Sequence, residues 1–178
     1  HYCSVGSDNT GGALMAVQHL LAAGRRRIVF LGETTAPEMR QRYEGYVQAL
    51  ANGPRGTAEP HVVPAHMTPD AAYDAVHAAL RDGPRFDAVF AATDVIAISA
   101  MRAITASGLR VPQDVAVAGY DDVWLATQVT PMLTTVRQDM QRGARTLVDL
   151  LFRRIEGEET PSATMPAELV VRESTAPR

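Results

Sequence analysis

AATDVIAISAMRAITASGLRVPQDVAVAGYDD, residues 91–122, decides the fold. The stretch reads as strand end, helix, turn and strand, with a carboxylate at each strand exit. Residues 86–91 ahead of it are a short apolar run of strand length, and Asp94 stands where a helix N-cap is expected. Val95, Ile96, Ile98, Ala100, Met101 and Ile104 then recur at helical spacing until Gly108 stops the helix. Val111 and Pro112 turn the chain into residues 115–119, a second buried-type strand that runs out into Tyr120, Asp121 and Asp122. Two parallel strands joined by a helix form a βαβ unit, and in such sheets ligands bind beyond the carboxyl ends of the strands. Asp94 and Asp121 therefore mark the expected site.

Working outward, the same alternation continues on both sides. Upstream, residues 1–7 read as a strand end, and Leu14, Val17, Leu20 and Leu21 form an apolar helical stripe closed by Gly24. Residues 28–32 are a continuous hydrophobic strand of the kind buried in parallel sheets. A helix through Tyr43, Tyr46, Val47 and Leu50 follows, then a breaker-rich loop, a weak strand at 61–64 and a helix opened by Pro69. Downstream, residues 124–130 read as irregular, 133–136 as a short strand, 139–155 as a long amphipathic helix, 158–164 as a loop and 169–172 as a final strand. Strands alternating with helices predict an α/β fold, a doubly wound, mainly parallel sheet with helices on both faces and right-handed crossovers.

The strand exits gather polar side chains at one edge of that sheet. Glu33, Arg40 and Arg42 follow the strand at 28–32, His66 the strand at 61–64, Thr93 and Asp94 the strand at 86–91, and Asp121 and Asp122 the strand at 115–119. Carboxylates that accept from adjacent hydroxyls, beside guanidinium forks, suit a polyhydroxylated or anionic small molecule. Each residue also has a plainer reading. Asp94 serves equally as an N-cap, Arg40 as the partner of Glu44 on a helix surface, Asp121 and Asp122 as an Asx turn, and His66 as a loop histidine. Arg25, Arg26 and Arg27 read as a solvated turn at a helix C-terminus. The helix from Val95 to Ile104 is apolar over more of its circumference than one sheet covers, with Ile98 outermost. A subunit interface or a neighbouring helix of the same chain would absorb the surplus.

The bulk numbers narrow the class of function. A chain of 178 residues, 46% hydrophobic and 21% charged, suits one sizeable globular domain. Its net charge of -3 carries no electrostatic footprint for nucleic acid. The 17 basic residues are all Arg. A single cysteine, Cys3, excludes an internal disulfide and cannot by itself build a metal site. No apolar run approaches the ~20 residues that span a bilayer.

Five blocks carry a family resemblance: SDNTGGALMAVQHLLAAGRRRIVFLG, MRQRYEGYVQAL, FDAVFAATDVIAISAMRAITASGLRVPQDVAVAGYDD, TPMLTTVRQDM and LVVREST. Together they resemble the lactose-repressor (LacI/GalR) family of bacterial transcription regulators, over essentially the whole chain. The resemblance implies a two-lobed effector-binding core like that of periplasmic sugar-binding proteins. Its lobes close around a sugar or nucleobase, and closure changes how a dimer presents helix-turn-helix heads to an operator. By motif, Arg40 stands where the family's effector-contacting arginine stands and Asp121 where its aspartate stands. Asp8 lies in the segment leading from the first lobe, His66 holds a place often taken by a stacking aromatic, and Thr93 one often taken by Asn. Asp94 joins them as a ligand contact on its position at the strand exit.

The same resemblance divides the chain. Residues 1–16 are the end of a first lobe and a crossover, 17–120 the second lobe, 121–164 a return segment with a helix of the first lobe, and 165–178 the final strand and tail. The DNA-binding head and most of the first lobe lie outside this sequence, so the helix at 139–155 is expected to be poorly packed or packed on another copy. Val95, Ile98, Met101 and Val129 are the expected homodimer contacts. The expected function is the effector-sensing and dimerising part of a cytoplasmic repressor, responding to a sugar or nucleoside-like molecule and reaching operator DNA through the head. The alternative is a periplasmic sugar-binding protein of a transport system. No nucleophile elbow, phosphate loop, zinc spacing or dinucleotide fingerprint is present, so neither an enzyme, a cofactor nor a bound metal is expected, and no membrane partner.

Overall fold

A computed structural model of the chain describes residues 3–83 and 85–176. In chain order the elements are β1 (Val5–Ser7), α1 (Asn9–Ala22), β2 (Ile28–Leu31), α2 (Pro37–Ala51), β3 (His61–Val63), α3 (Pro69–Asp82), β4 (Ala88–Ala91), α4 (Asp94–Ala106), β5 (Ala116–Asp121), β6 (Thr134–Gln138), α5 (Met140–Ile155), β7 (Ala163–Met165) and β8 (Ala167–Val170). Single turns of 3-10 helix occupy Trp124–Thr127 and Glu173–Thr175.

Among the described residues the main sheet has six strands in the order β3-β2-β4-β5-β6-β8, and β1 pairs with β7 in a separate two-stranded sheet. The pairings from β3 through β6 are parallel and β8 is antiparallel. This is the mainly parallel, doubly wound arrangement expected, with α1 packed on α2 and α3 on α4. Every residue of β2 and β4 is buried, which is why their sequences, IVFL and AVFA, carry no polar alternation. Phe30 sits at the centre, its ring 5.4 Å from Tyr43 and 5.9 Å from Phe90. The buried Tyr46 hydroxyl donates to the Ile28 carbonyl at 2.8 Å and accepts from the His61 N–H at 2.9 Å, tying α2 to two strands.

Helix ends follow local chemistry. Asp8 caps α1 by accepting the Gly11 N–H at 2.8 Å, and Gly24, at φ +88, ends that helix in a conformation open to glycine. Thr68 caps α3, with Pro69 at its first position. The tail ties into β5 and β6: Ser174 Oγ donates to the Val117 carbonyl at 2.6 Å and accepts from the Thr134 N–H at 2.8 Å.

Four local expectations are corrected. Arg25 is not solvated but buried, donating to the carbonyl of Pro112 at 2.6 Å. Residues 163–165, read as loop, form β7, which is too short for a periodic signal and exists only through pairing with β1. The final strand lies at Ala167–Val170, two residues earlier than expected. On α4, Ile98 is only 9% exposed and Met101 5%, because α3 packs beside them; Val95 is the more open residue at 41%. The long helix α5 buries Leu150 alone, while Leu147, Leu151, Phe152 and Ile155 face solvent. The small β1–β7 sheet lies against this helix and leaves most of its apolar stripe open.

Gly45 tests the helix pairing. A methyl group there would overlap the Thr10 carbonyl and Ala13 at the α1–α2 contact. Gly45→Ala is expected to lower the unfolding free energy by about 1–3 kcal/mol, read by urea denaturation, whereas Glu44→Ala on the exposed side should stay within about 0.5 kcal/mol.

Candidate functional site

The site is assembled where the chain passes between the two sheets. Asp8 and Asn9 lead from β1 into α1, Gln138 and Asp139 lead from β6 into α5, and Pro166 joins β7 to β8. Asp121, at the end of β5, lies beside Gln138. Its Oδ1 accepts from Gln138 Nε2 at 2.7 Å and lies 3.3 Å from Arg42 Nη2.

Arg42 is the arginine of the cleft. It is only 4% exposed. Its Nε donates to Asn9 Oδ1 at 2.9 Å and its Nη1 to the Ala92 carbonyl at 2.6 Å, while the guanidinium carbon lies 3.7 Å above the Tyr120 ring. Three of its nitrogens thus join α1, β4 and β5, and the planar group stacks on an aromatic face. Arg40, expected in this role, is exposed and two residues along the same helix, which turns it to the opposite side. Arg42 lies three residues after Met39 and four before Tyr46, both buried, so it falls on the inner stripe of α2. That phase was the available signal. Asn9 and Gln138, which the sequence reading did not single out, are placed by strand crossings that no local pattern announces.

Two cavities flank the crossing. One of about 580 Å³ is lined by Ser7, Asn9, Gln41, Arg42, Gln138 and Met140. The other, of about 670 Å³, is lined by residues including Asp121, Asp122, Arg137, Gln138 and Glu168. Asp122 is gripped by Arg137 Nε at 2.7 Å and Arg172 Nη2 at 2.6 Å; burial draws its carboxyl up, but these two guanidinium groups hold it below the usual carboxylate range. Burial raises the Asp121 carboxyl, with Arg42 opposing.

The remaining expected contacts scatter. Asp8 is spent on the cap of α1. His66 stands at the β3 exit with Nδ1 2.7 Å from Glu33 Oε1, on neither cavity wall. Thr93 is buried at the start of α4, and its hydroxyl has no hydrogen-bond partner among the described residues. Asp94 is no ligand contact in this arrangement. It is 0% exposed, and its carboxylate accepts from Thr135 Oγ1 at 2.5 Å and from the Val123 N–H at 2.9 Å. It is also not the N-cap, which is Thr93. Burial, reinforced by Asp121 and Asp122, pushes the Asp94 carboxyl up to about 7 despite the two bonds it accepts.

Residues 17–175 match a family described as periplasmic binding protein-like domain. The HTH-type transcriptional regulator CelR of Thermobifida fusca is 39% identical over 170 residues, 94% of this chain and 50% of the relative. A solved structure described as a transcriptional regulator CelR–cellobiose complex superposes with a TM-score of 0.85 at 37% identity, over 97% of this chain and 54% of that one. The structure of a dimeric Lac repressor with a C-terminal deletion superposes with a TM-score of 0.90 at 30% identity, over 98% of this chain and 65% of that one. The chain spans about half the length of the curated relatives it matches.

Two measurements check the electrostatics. Asp94 titrates near 3.8 in an unfolded chain and at about 7 in the fold. Between those values the folded protein keeps a proton the unfolded chain has released, so stability falls as pH rises, by up to about 1.4 kcal/mol per unit. Thermal melts from pH 4 to 8 should show that decline, and Asp94→Asn should remove it. Arg42→Ala takes a donor from Asn9 and from the Ala92 carbonyl and leaves Asp121 with Gln138, and it should cost about 1–3 kcal/mol, against near-neutrality for Arg40→Ala in the same denaturation assay.

Proposed function

The chain belongs to the periplasmic binding protein-like domain family, and from that membership we propose that it is the effector-sensing half of a LacI-family transcription regulator, acting as a repressor in the cytoplasm. The observation that carries the reading is the Arg42–Asp121–Gln138 group at the crossing between the sheets. An arginine fork, a carboxylate and an amide set side by side offer donors and acceptors to a polyhydroxylated molecule. A ligand that takes Asp121 away from Gln138 acts directly on the segment leading into α5. Binding in the cleft is thereby transmitted to the neighbouring lobe, with residues 17–120 as the second lobe, residues 1–16 and 121–164 as parts belonging to the first, and residues 165–178 as the final strand and tail.

The effector we propose is a sugar, with cellobiose the first to try on account of the CelR–cellobiose complex. Arg42 and Asp121 are its proposed contacts within this chain. Operator DNA is reached through a head outside this chain, since the net charge of -3 does not favour a polyanion. The regulator reading is preferred to a transport receptor because the relatives are named as HTH-type regulators. Among the described residues, no helix is long and apolar enough to cross a membrane.

A homodimer forms, in this reading, along α4. A groove of about 570 Å³ is lined by Tyr73, Ile98, Met101, Arg102 and Val129, and Val95, one helical turn before Ile98, is open.

In the full-length protein, cellobiose should raise the melting temperature, and Arg42→Ala or Asp121→Ala should abolish that rise while Arg40→Ala retains it. Unchanged ligand shifts in the first two variants would remove the cleft assignment. Sedimentation of Val95→Asp should show a shift from dimer toward monomer; an unaltered dimer moves the interface elsewhere.

A further inference from the structure

Asp94 is buried more completely than a helix-start aspartate requires, and among the described residues no cation bonds it. A buried carboxylate without an ion pair is costly, so its position demands a reason. Its two oxygens hold one feature from beneath. Oδ2 accepts the N–H of Val123 directly, at 2.9 Å. Oδ1 accepts the hydroxyl proton of Thr135, and the same hydroxyl oxygen accepts the N–H of Asp122 at 3.3 Å. The two peptide groups that follow Asp121 are thus anchored to one carboxylate, one of them through a single hydroxyl.

Those peptides need anchoring. Asp121 has φ 113 and Asp122 φ 51, the left-handed region that strains a residue carrying a side chain. The opposing strand makes room: a methyl group on Gly119 would overlap Asp94 Oδ1, so the carboxylate rests against bare backbone. The charges around Asp94 are Asp121 and Asp122 from the β5 exit. Arg42 of α2 neutralises the first, and Arg137 of β6 with Arg172 of the tail neutralises the second.

We propose that Asp94 is a positioning residue, which touches no ligand but locks the 121–123 turn from within the sheet and so presents the Asp121 carboxylate to the cleft. The inference rests on Asp121 as a ligand group. In the ionised form both oxygens accept. A proton on Asp94 turns one acceptor into a donor, which competes with Thr135 for the same bond and loosens the turn. Burial holds this group at about 7, so both forms are populated near neutral pH. Effector affinity accordingly rises between pH 6 and 8. The share of that rise owed to Asp94 is the part that Asp94→Asn removes.

Trp124 follows the turn directly and is 74% exposed, so its fluorescence reports the turn without any ligand. In the full-length protein, titrated from pH 5.5 to 8.5, the Trp124 signal should pass through a transition near pH 7 that is absent from Asp94→Asn, with Trp124→Phe supplying the background. Calorimetry with cellobiose should show at least tenfold weaker binding for Asp94→Asn at an unreduced melting temperature. Thr135→Val should bind as weakly, and Thr135→Ser, which keeps the hydroxyl, should restore wild-type affinity. A pH transition that survives in Asp94→Asn, or Asp94→Asn and Thr135→Val binding as wild type, overturns the proposal. If wild type does not bind cellobiose, that choice of effector fails instead, and the fluorescence transition alone decides the role of Asp94.

Discussion

The cleft depends on one guanidinium group. Arg42 reaches the first residue of α1 through Asn9, the exit of β4 through the Ala92 carbonyl and the exit of β5 through Asp121, and it lies flat on Tyr120. No shorter side chain could join these elements, and lysine, a point charge without a planar fork, could not serve three directions while stacking. Because the group is nearly enclosed, every bond it makes is worth more than it would be at the surface, and without it Asn9 Oδ1 would lose its donor.

Around that tie the structure separates rigid from adjustable parts. The strands that deliver Asp121 and Ala92 are packed on both faces, with Phe30, Phe90 and Tyr46 filling the space between sheet and helices. A well-packed interior does not deform gradually, so the sheet acts as a fixed base. The crossing segments at residues 7–9 and 138–140 are short and lie beside open cavities. A contact such as Gln138–Asp121, which connects the fixed base to a crossing, is therefore a natural point of control. Asp94 works on the same feature from below, and because no cation among the described residues pairs with it, its charge is sensitive to its surroundings.

Much of this was legible in the sequence because it is written in local patterns. Apolar runs of strand length, helical stripes and glycine stops placed the parallel sheet, and five motif blocks pointed to the family that the domain match bears out. The site was legible only by neighbourhood. Strand exits marked the correct edge, yet the choice between Arg40 and Arg42 turned on helix phase, and two residues on a helix are enough to reverse the face. Asp94 looked like its neighbour Asp121 in the sequence, both being aspartates just past a strand. One is sealed beneath the sheet and the other opens to a cavity, a difference set by Gly119 and Thr135 on other strands.

Sequence by itself determined the fold class, the order of the main-sheet strands' residues along the chain and the edge where polar groups collect, because these follow from hydrophobic period and turn chemistry between near neighbours. Tertiary structure alone decided which arginine enters the cleft, that β7 exists, that Arg25 is buried and that Asp94 supports the site from beneath. Each of those depends on groups brought together from distant parts of the chain, where burial and the pairing of every buried polar atom determine what a side chain does.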